Sequence, residues 1–208
     1  MYLSKLELNL KNRKVQQDLS NAHSLHQTIM QGFPDEQRDK ARADWHILFR
    51  HEPDSAILLV QSMAQASPSW ERLPLDYLAN YDLKPIDTLL EQLQVGRVLQ
   101  FRIKANPSKR SKETGKTVAF TSTEDRLLWL ERQALRSGFE VLQVDTIPIP
   151  DIYGRKAKAS APIKIISVLF QGALKITDTE LFRQALQQGI GRGRAYGCGL
   201  LSVAKLSS

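Results

Sequence analysis

The sequence predicts an α+β protein built from two tandem ferredoxin-like (βαββαβ) domains. Three observations carry this reading: period-two alternation at the start of the chain, helical spacing in the segments that follow, and recurrence of the same element order in the second half. The domains are expected at 1–105 and 117–208, joined by a basic linker at 106–116. Tyr2–Leu8 alternates, with Leu3, Leu6 and Leu8 apolar, and reads as a strand. Lys14–Gln31 reads as helical, in two pieces joined near Asn21. Trp45–His51 and Ala56–Met63 read as strands with a Glu52-Pro-Asp-Ser turn between them. Pro85–Leu93 has helical spacing through Ile86, Leu89, Leu90 and Leu93, and Arg97–Ala105 alternates again, which completes the first unit. In the second half, Thr117–Thr121 reads as a short strand and Thr123–Arg136 as a helix ended by Gly138. Glu140–Ile147 follows as a strand. Lys164–Phe170 and Ala173–Ile176 read as a hairpin turning at Gln171-Gly172, Thr179–Gln188 as a helix, and Leu200–Leu206 as the closing strand.

The chain has 208 residues and 42% hydrophobic residues, enough to bury a core, which disfavours a disordered chain. Lys plus Arg total 29 against 22 acids, a formal charge of +7 that favours a polyanionic partner. No apolar run approaches membrane-spanning length, and Met1–Leu10 lacks a signal-peptide core. The one cysteine, Cys198, cannot pair internally and fits a reducing cytoplasm.

The glycine-rich segment Gly189–Gly199 is the most unusual local feature. It holds five glycines and two arginines, Arg192 and Arg194, and no acid, between a predicted helix and a predicted strand. One or two glycines suffice for a tight connection, so the segment reads as a phosphate-binding loop centred on Gly191, Arg192, Gly193 and Arg194. Two further basic clusters stand out. Arg102, Lys104, Lys109, Arg110, Lys112 and Lys116 are interrupted only by Glu113, and Arg155, Lys156, Lys158 and Lys164 contain no acid. Three such runs at connecting segments point to a nucleic-acid surface. The stretch from Arg155 to Lys164 has two readings: the arm of a β-hairpin entering a groove, or an ordinary surface loop. Because A-form RNA hides its base edges in a deep, narrow major groove, such an arm reads shape and phosphates rather than sequence.

There are four histidines. His23 and His26 are three apart in a predicted helix and share a side of it, and imidazole exchanges protons near neutrality. His26 falls on the flank of the apolar stripe formed by Ala22, Leu25 and Ile29, with His23 further round. Taken alone, the pair also fits a packed or surface pair. If Asn21 caps the helix, His23 lies in its first turn. His46 and His51, in or beside an apolar strand, read as structural. With one cysteine and no dense acidic cluster, a zinc or two-metal site is disfavoured, and no cofactor is called for. Other motifs fail. Gly115-Lys116-Thr117 resembles the end of a P-loop, but Arg110 stands where its first glycine belongs. Gly189–Gly199 lacks G-x-G-x-x-G and follows a helix. Val98–Ile103 does not match an RNA-recognition-motif strand.

Six further features of the chain belong together: Tyr2-Leu-Ser-Lys-Leu6, Asp18-Leu-Ser-Asn-Ala-His-Ser-Leu-His26, Phe101-Arg-Ile-Lys-Ala-Asn-Pro-Ser-Lys-Arg110, Thr114-Gly-Lys116, Val168-Leu-Phe-Gln-Gly172, and Gly189-Ile-Gly with Gly197-Cys-Gly-Leu-Leu-Ser-Val203. Together they resemble the CasE family, the CRISPR precursor-RNA endoribonucleases of type I-E systems. The resemblance runs nearly end to end. It implies two ferredoxin-like domains and metal-independent cleavage at the base of the repeat stem-loop, leaving a 2′,3′-cyclic phosphate and a 5′-hydroxyl. It further implies retention of the product, with the CRISPR repeat hairpin RNA and the other subunits of the type I-E interference complex (Cascade) as partners. The family motif singles out His26 as catalytic. Some members carry tyrosine where this chain has His23, which leaves the second catalytic role open. A cation such as Lys109 or Arg110 is expected to stabilise charge on the phosphate. Two other readings stand beside this one: a non-catalytic RNA-binding subunit, against which an intact His26 counts, and a small-molecule or protein-interaction module, which would need no basic loops.

Overall fold

Ser4, Leu6 and Leu8 are buried while Lys5 and Glu7 are exposed, so the alternation at the start of the chain is that of a strand with one face inward. The computed structural model describes residues 1–34, 44–156 and 161–206. The chain folds into two compact units. The first is Met1–Leu89, Asp151–Ile165 and Ala195–Gly197; the second is Leu90–Pro150, Ile166–Arg194 and Cys198–Ser208.

In the first unit β1 (Tyr2–Leu8) leads into α1 (Arg13–Ser20) and α2 (Ala22–Gln31). The helices are separate because Asn21 adopts an extended backbone (φ −137°, ψ 100°), as the reading of two pieces anticipates. β2 (Leu48–His51) and β3 (Ile57–Ser62) form a hairpin, and β4 (Leu78–Pro85) completes an antiparallel sheet in the order β2-β3-β1-β4. Leu6, Leu8, Leu58 and Val60 from the sheet pack with Val15, Leu25 and Ile29 from the helices around Phe33, Trp45, Phe49 and Trp70. The Trp70 indole N–H donates to Ser4 Oγ at 2.9 Å, which satisfies both buried polar atoms. The segment between β3 and β4 holds only a 3-10 turn, Trp70–Arg72. α3 (Asp87–Glu91) follows β4.

The second unit contains β5 (Val98–Ala105), α4 (Thr123–Arg136), β8 (Phe139–Pro148), β11 (Val168–Ile176), α5 (Thr179–Gln188) and β12 (Leu201–Lys205). Its sheet order is β12-β5-β11-β8, again the ferredoxin-like arrangement. A short hairpin of β6 (Ser108–Arg110) and β7 (Thr117–Ala119) stands between β5 and α4. A second hairpin, β9 (Ile152–Gly154) with β10 (Ile163–Ile165), belongs to the first unit. Among the described residues no helix is long and apolar enough to cross a membrane.

The expected boundaries 1–105, 106–116 and 117–208 are therefore corrected. Arg97–Ala105 opens the second sheet instead of closing the first, because β5 pairs with β11 and β12. The helix expected at Pro85–Leu93 shrinks to α3 and is not the crossover of the first unit. The strand that closes the first sheet is β4, which the sequence pattern hides: this edge strand is largely exposed and polar, with Asn80, Asp82 and Lys84, and carries no apolar alternation. Residues 106–116 are not a linker but part of the β6–β7 hairpin, closed by Gly115 N–H to Ser111 O (3.0 Å) and Ser111 N–H to Lys116 O (2.8 Å).

The turn expected at Gln171-Gly172 is absent, and β11 runs straight through it. Gly172 is nearly extended, and a Cβ there would lie 2.0 Å from Gln143 O on β8. The glycine serves close approach of two strands beside a register shift at Ala173/Leu174, not a reversal. Gly172→Ala is expected to destabilise the protein by about 1–3 kcal/mol, since backbone must move to admit the methyl group. Urea unfolding checks this; an unchanged midpoint would show that β8 yields freely.

Candidate functional site

Asn21 caps α2, its Oδ1 accepting from the His23 backbone N–H at 3.1 Å. The same side chain holds Arg155 by its backbone. Arg155 N–H donates to Asn21 Oδ1 (3.1 Å), and Asn21 Nδ2 donates to Arg155 O (3.2 Å). Gly154 lies directly over the first turn of α2, where a Cβ would come within 3.0 Å of Asn21 Oδ1 and 3.1 Å of His23 N. The basic hairpin β9–β10 thus starts where the histidine-bearing helix starts. Strands β9 and β10 pair on either side of the Arg155–Lys164 stretch.

His26 stands one turn along α2, half-buried, with its Nδ1 shielded from solvent. Its ring stacks with Phe49 of β2, centroids 6.4 Å apart and planes 17° apart. Phe49 also meets Gly197: a Cβ there would lie 3.1 Å from the ring, and φ is +85°. Ala195–Gly197 of the glycine-rich segment therefore belongs to the first unit, with Gly197 against the ring that stacks with His26. His23, also half-buried, lies ~60° round the helix from His26.

The back of α2 is tied to Asp18, the last buried residue of α1. Asp18 Oδ1 accepts from Lys14 Nζ (2.7 Å) and from Ser24 Oγ, and Oδ2 accepts from Thr28 Oγ1 (2.7 Å) and the Tyr77 hydroxyl (2.9 Å). Burial alone would push this carboxyl up; the hydrogen bonds from Lys14, Ser24, Thr28 and Tyr77 outweigh it and hold the group below the usual carboxylate range. Burial and the Asp18 charge push the Tyr77 hydroxyl well above its ordinary value, so it stays a donor.

The other expected site residues divide between the units. In the first, Arg155 and Lys156 are exposed beyond β9, while Lys164 on β10 lies 5.7 Å over the Tyr153 ring and 3.8 Å from Asp151. Lys158 lies outside the described residues. In the second, Arg102 donates to Gln171 across β5 and β11, and Lys104 O accepts from Gly199 N–H at 2.8 Å. Lys109 lies 5.4 Å over the Phe120 ring, Arg110 Nε donates to Gly115 O (3.0 Å), and Lys116 is exposed. These cations ride on a folded hairpin whose tip is tied by its own arginine. Arg192 donates to Thr117 Oγ1 (2.6 Å). Arg194 donates to Gln188 O (2.7 Å) at the C-terminus of α5, a helix end that favours a cation.

The glycine-rich segment also has a backbone reason for its composition. All five of its glycines have positive φ, so their number follows from the backbone path itself. Gly199 is the tightest case: φ is +89°, and a Cβ would lie 2.8 Å from Ile190 O, while at Gly191 (φ +80°) it would lie 2.9 Å from the Trp129 ring. Gly193 O accepts from Cys198 N–H (3.2 Å) and Gly199 O from Ile190 N–H (2.9 Å), which closes the loop on itself. Cys198 is buried, and burial pushes its thiol up to about 12, so it is a packing residue. His51 is structural as expected, its Nε2 paired with Ser55 O at 2.8 Å. Among the described residues no three His, Cys, Asp or Glu side chains group to hold a metal.

Sequence reasoning missed Asn21 as a bridge, Asp18 as an anchor and the cations of α4. Arg132 lies 5.8 Å over Phe120, and with Lys109, Trp129 and Arg136 it lines a cavity of about 280 Å³ that contains no acid. The signal was present: Trp129, Arg132, Gln133 and Arg136 share one helical face, as do Val15 and Asp18, which puts an acid on the apolar stripe of α1.

Each ferredoxin-like unit carries a cationic hairpin, and the first carries His26 on an anchored helix. The chain belongs to the CRISPR associated protein family, which matches residues 1–205. It is 33% identical to the CRISPR-associated endoribonuclease Cse3 of Thermus thermophilus, over 98% of this chain and all of that one. It is 31% identical to the CRISPR system Cascade subunit CasE of Escherichia coli K12, over 99% of this chain and all of that one. Among solved structures, Cse3 bound to a 19 nt RNA superposes with a TM-score of 0.83 at 31% identity, covering 98% of this chain and 100% of that one. Thermus thermophilus Cse3 bound to an RNA representing a pre-cleavage complex gives 0.80 at 30% identity, covering 98% of each.

Proposed function

We propose that this protein is a metal-independent endoribonuclease that cuts CRISPR precursor RNA at the base of the repeat stem-loop and keeps hold of the product. The observation that carries the reading is His26 on α2, backed by Asp18, stacked with Phe49, and next to a cap that fixes Arg155. The relatives named above supply the substrate class.

In the reaction the 2′-oxygen forms a bond to the adjacent phosphorus and the bond from phosphorus to the 5′-oxygen breaks. The 2′-hydroxyl proton is lost and the 5′-oxygen gains one. The products are a 2′,3′-cyclic phosphate and a 5′-hydroxyl. His26 handles one of these two proton transfers and His23 is its partner for the other. Arg155, fixed at the N-terminus of α2, stabilises charge on the phosphate oxygens together with that end of the helix. This role replaces the one expected of Lys109 or Arg110, which we assign with Lys116, Arg132 and Arg192 to gripping the RNA. Arg102, Lys104 and Arg194 supply background charge. Product retention fits a subunit of the type I-E interference complex working in the cytoplasm, where a lone thiol stays reduced.

The test is cleavage of the repeat RNA from the same locus in EDTA, with end-group analysis. Cutting that leaves a cyclic phosphate is the expected result. Cutting only with added divalent metal would replace the mechanism, and tight binding without cutting would make the chain an RNA-holding subunit.

A further inference from the structure

We propose that Asp18 is a positioning residue for His26: its buried carboxylate fixes the rotation of α2, and so the place of the imidazole. The rate part of this inference rests on the ribonuclease reading; the geometric part does not. Residues of a helix advance by ~100° each, so Ser24 and Thr28, two positions either side of His26, both lie ~160° away from it. They mark the face of α2 directly behind the histidine. Both of their hydroxyls donate to the one Asp18 carboxylate, Ser24 to Oδ1 and Thr28 to Oδ2 at 2.7 Å. These attachments are ~6 Å apart along the helix axis, so together they fix its rotation and its axial position.

Asp18 is itself fully buried and held from two further segments, by Lys14 one turn earlier on α1 and by Tyr77 ahead of β4. Apolar side chains of similar volume could join α1 to α2 without the desolvation of a charge. What the carboxylate adds is direction, because hydrogen bonds tolerate less rotation than apolar contact does. Ten degrees of rotation moves a group ~5 Å from the axis by about 1 Å. A misplacement of that size lowers a reaction rate by as much as ~10²-fold.

The variant pair is Ser24→Ala with Thr28→Val, which removes both donors and keeps volume, tested in the full chain. Thr28→Ser alone is the conservative control that keeps its donor. The saturating single-turnover rate is expected to fall ~10–100-fold, with half-saturating RNA concentration within about twofold of wild type and Thr28→Ser close to wild type. Without RNA, the His26 ring resonances are expected to shift while those of His51, held by Ser55, stay. A wild-type rate with an unmoved His26 signal would overturn the proposal. So would equal losses of rate and RNA affinity, which would mark a general structural role. If the double variant does not fold, the comparison of Thr28→Val with Thr28→Ser makes the same decision. If wild type leaves the RNA uncut, the ribonuclease reading fails, and the resonances still decide whether Asp18 positions the ring.

Discussion

His26→Ala is expected to lower the saturating rate of repeat-RNA cleavage by about 10²–10⁴-fold while leaving RNA affinity within about twofold. The size follows from removing a positioned proton-transfer group. The unchanged affinity follows from where the charge lies: the exposed cations Arg155 and Lys156 and the β6–β7 hairpin are untouched by the substitution. His26 also stacks with Phe49, so the variant loses some packing. His26→Gln keeps more of the bulk and serves as the second variant; it is expected to be equally inactive and closer to wild type in melting temperature. If affinity disappeared together with activity in both variants, His26 would be a packing residue of the RNA surface and the proposed chemistry would be wrong.

Replacing Arg155, Lys156 and Lys158 together with alanine is expected to weaken RNA binding by ~10–100-fold at moderate salt. The slope of log affinity against log salt should flatten by ~2–3, since each lost phosphate contact removes ~0.7–0.9. The backbone of Arg155 is held by the Asn21 side chain, so alanine there leaves the hairpin seated on α2. Lys164 is a useful contrast. It is already engaged by Asp151 and the Tyr153 ring, and Lys164→Ala alone is expected to change the slope by less than one contact. Binding titrations between about 50 and 200 mM salt separate these cases. An unchanged slope in the triple variant would take the arm out of the interface and leave the β6–β7 hairpin and α4 as the grip.

The sequence disclosed those elements that bury one face. β1, β5, α4 and α5 read correctly because apolar residues recur with the period of the element. The break at Asn21 read correctly because a capping residue interrupts a helical pattern. β4 did not, since an exposed edge strand owes its place to backbone pairing with β1, to which residue type contributes little. That omission then moved β5 into the wrong sheet, so the right fold class was reached with the wrong boundary. Gly172 was misread as a turn. Gly172 and the five glycines between Gly189 and Gly199 answer to backbone path and close approach, which depend on neighbours distant in sequence. The histidine pair was legible as chemistry. Its supports were not, because Asn21 meets Arg155 134 positions away and Asp18 meets Tyr77 59 positions away.

The first unit is assembled from three stretches of chain, the last of them Ala195–Gly197. A ribosome therefore has to pass residue 197 before the surroundings of His26 are complete. α1 and α2 emerge early, but the cap on Asn21 gains its second partner only after residue 155, and Phe49 gains Gly197 only after residue 197. A chain that has not yet reached Gly197 carries His23 and His26 without the full packing around them.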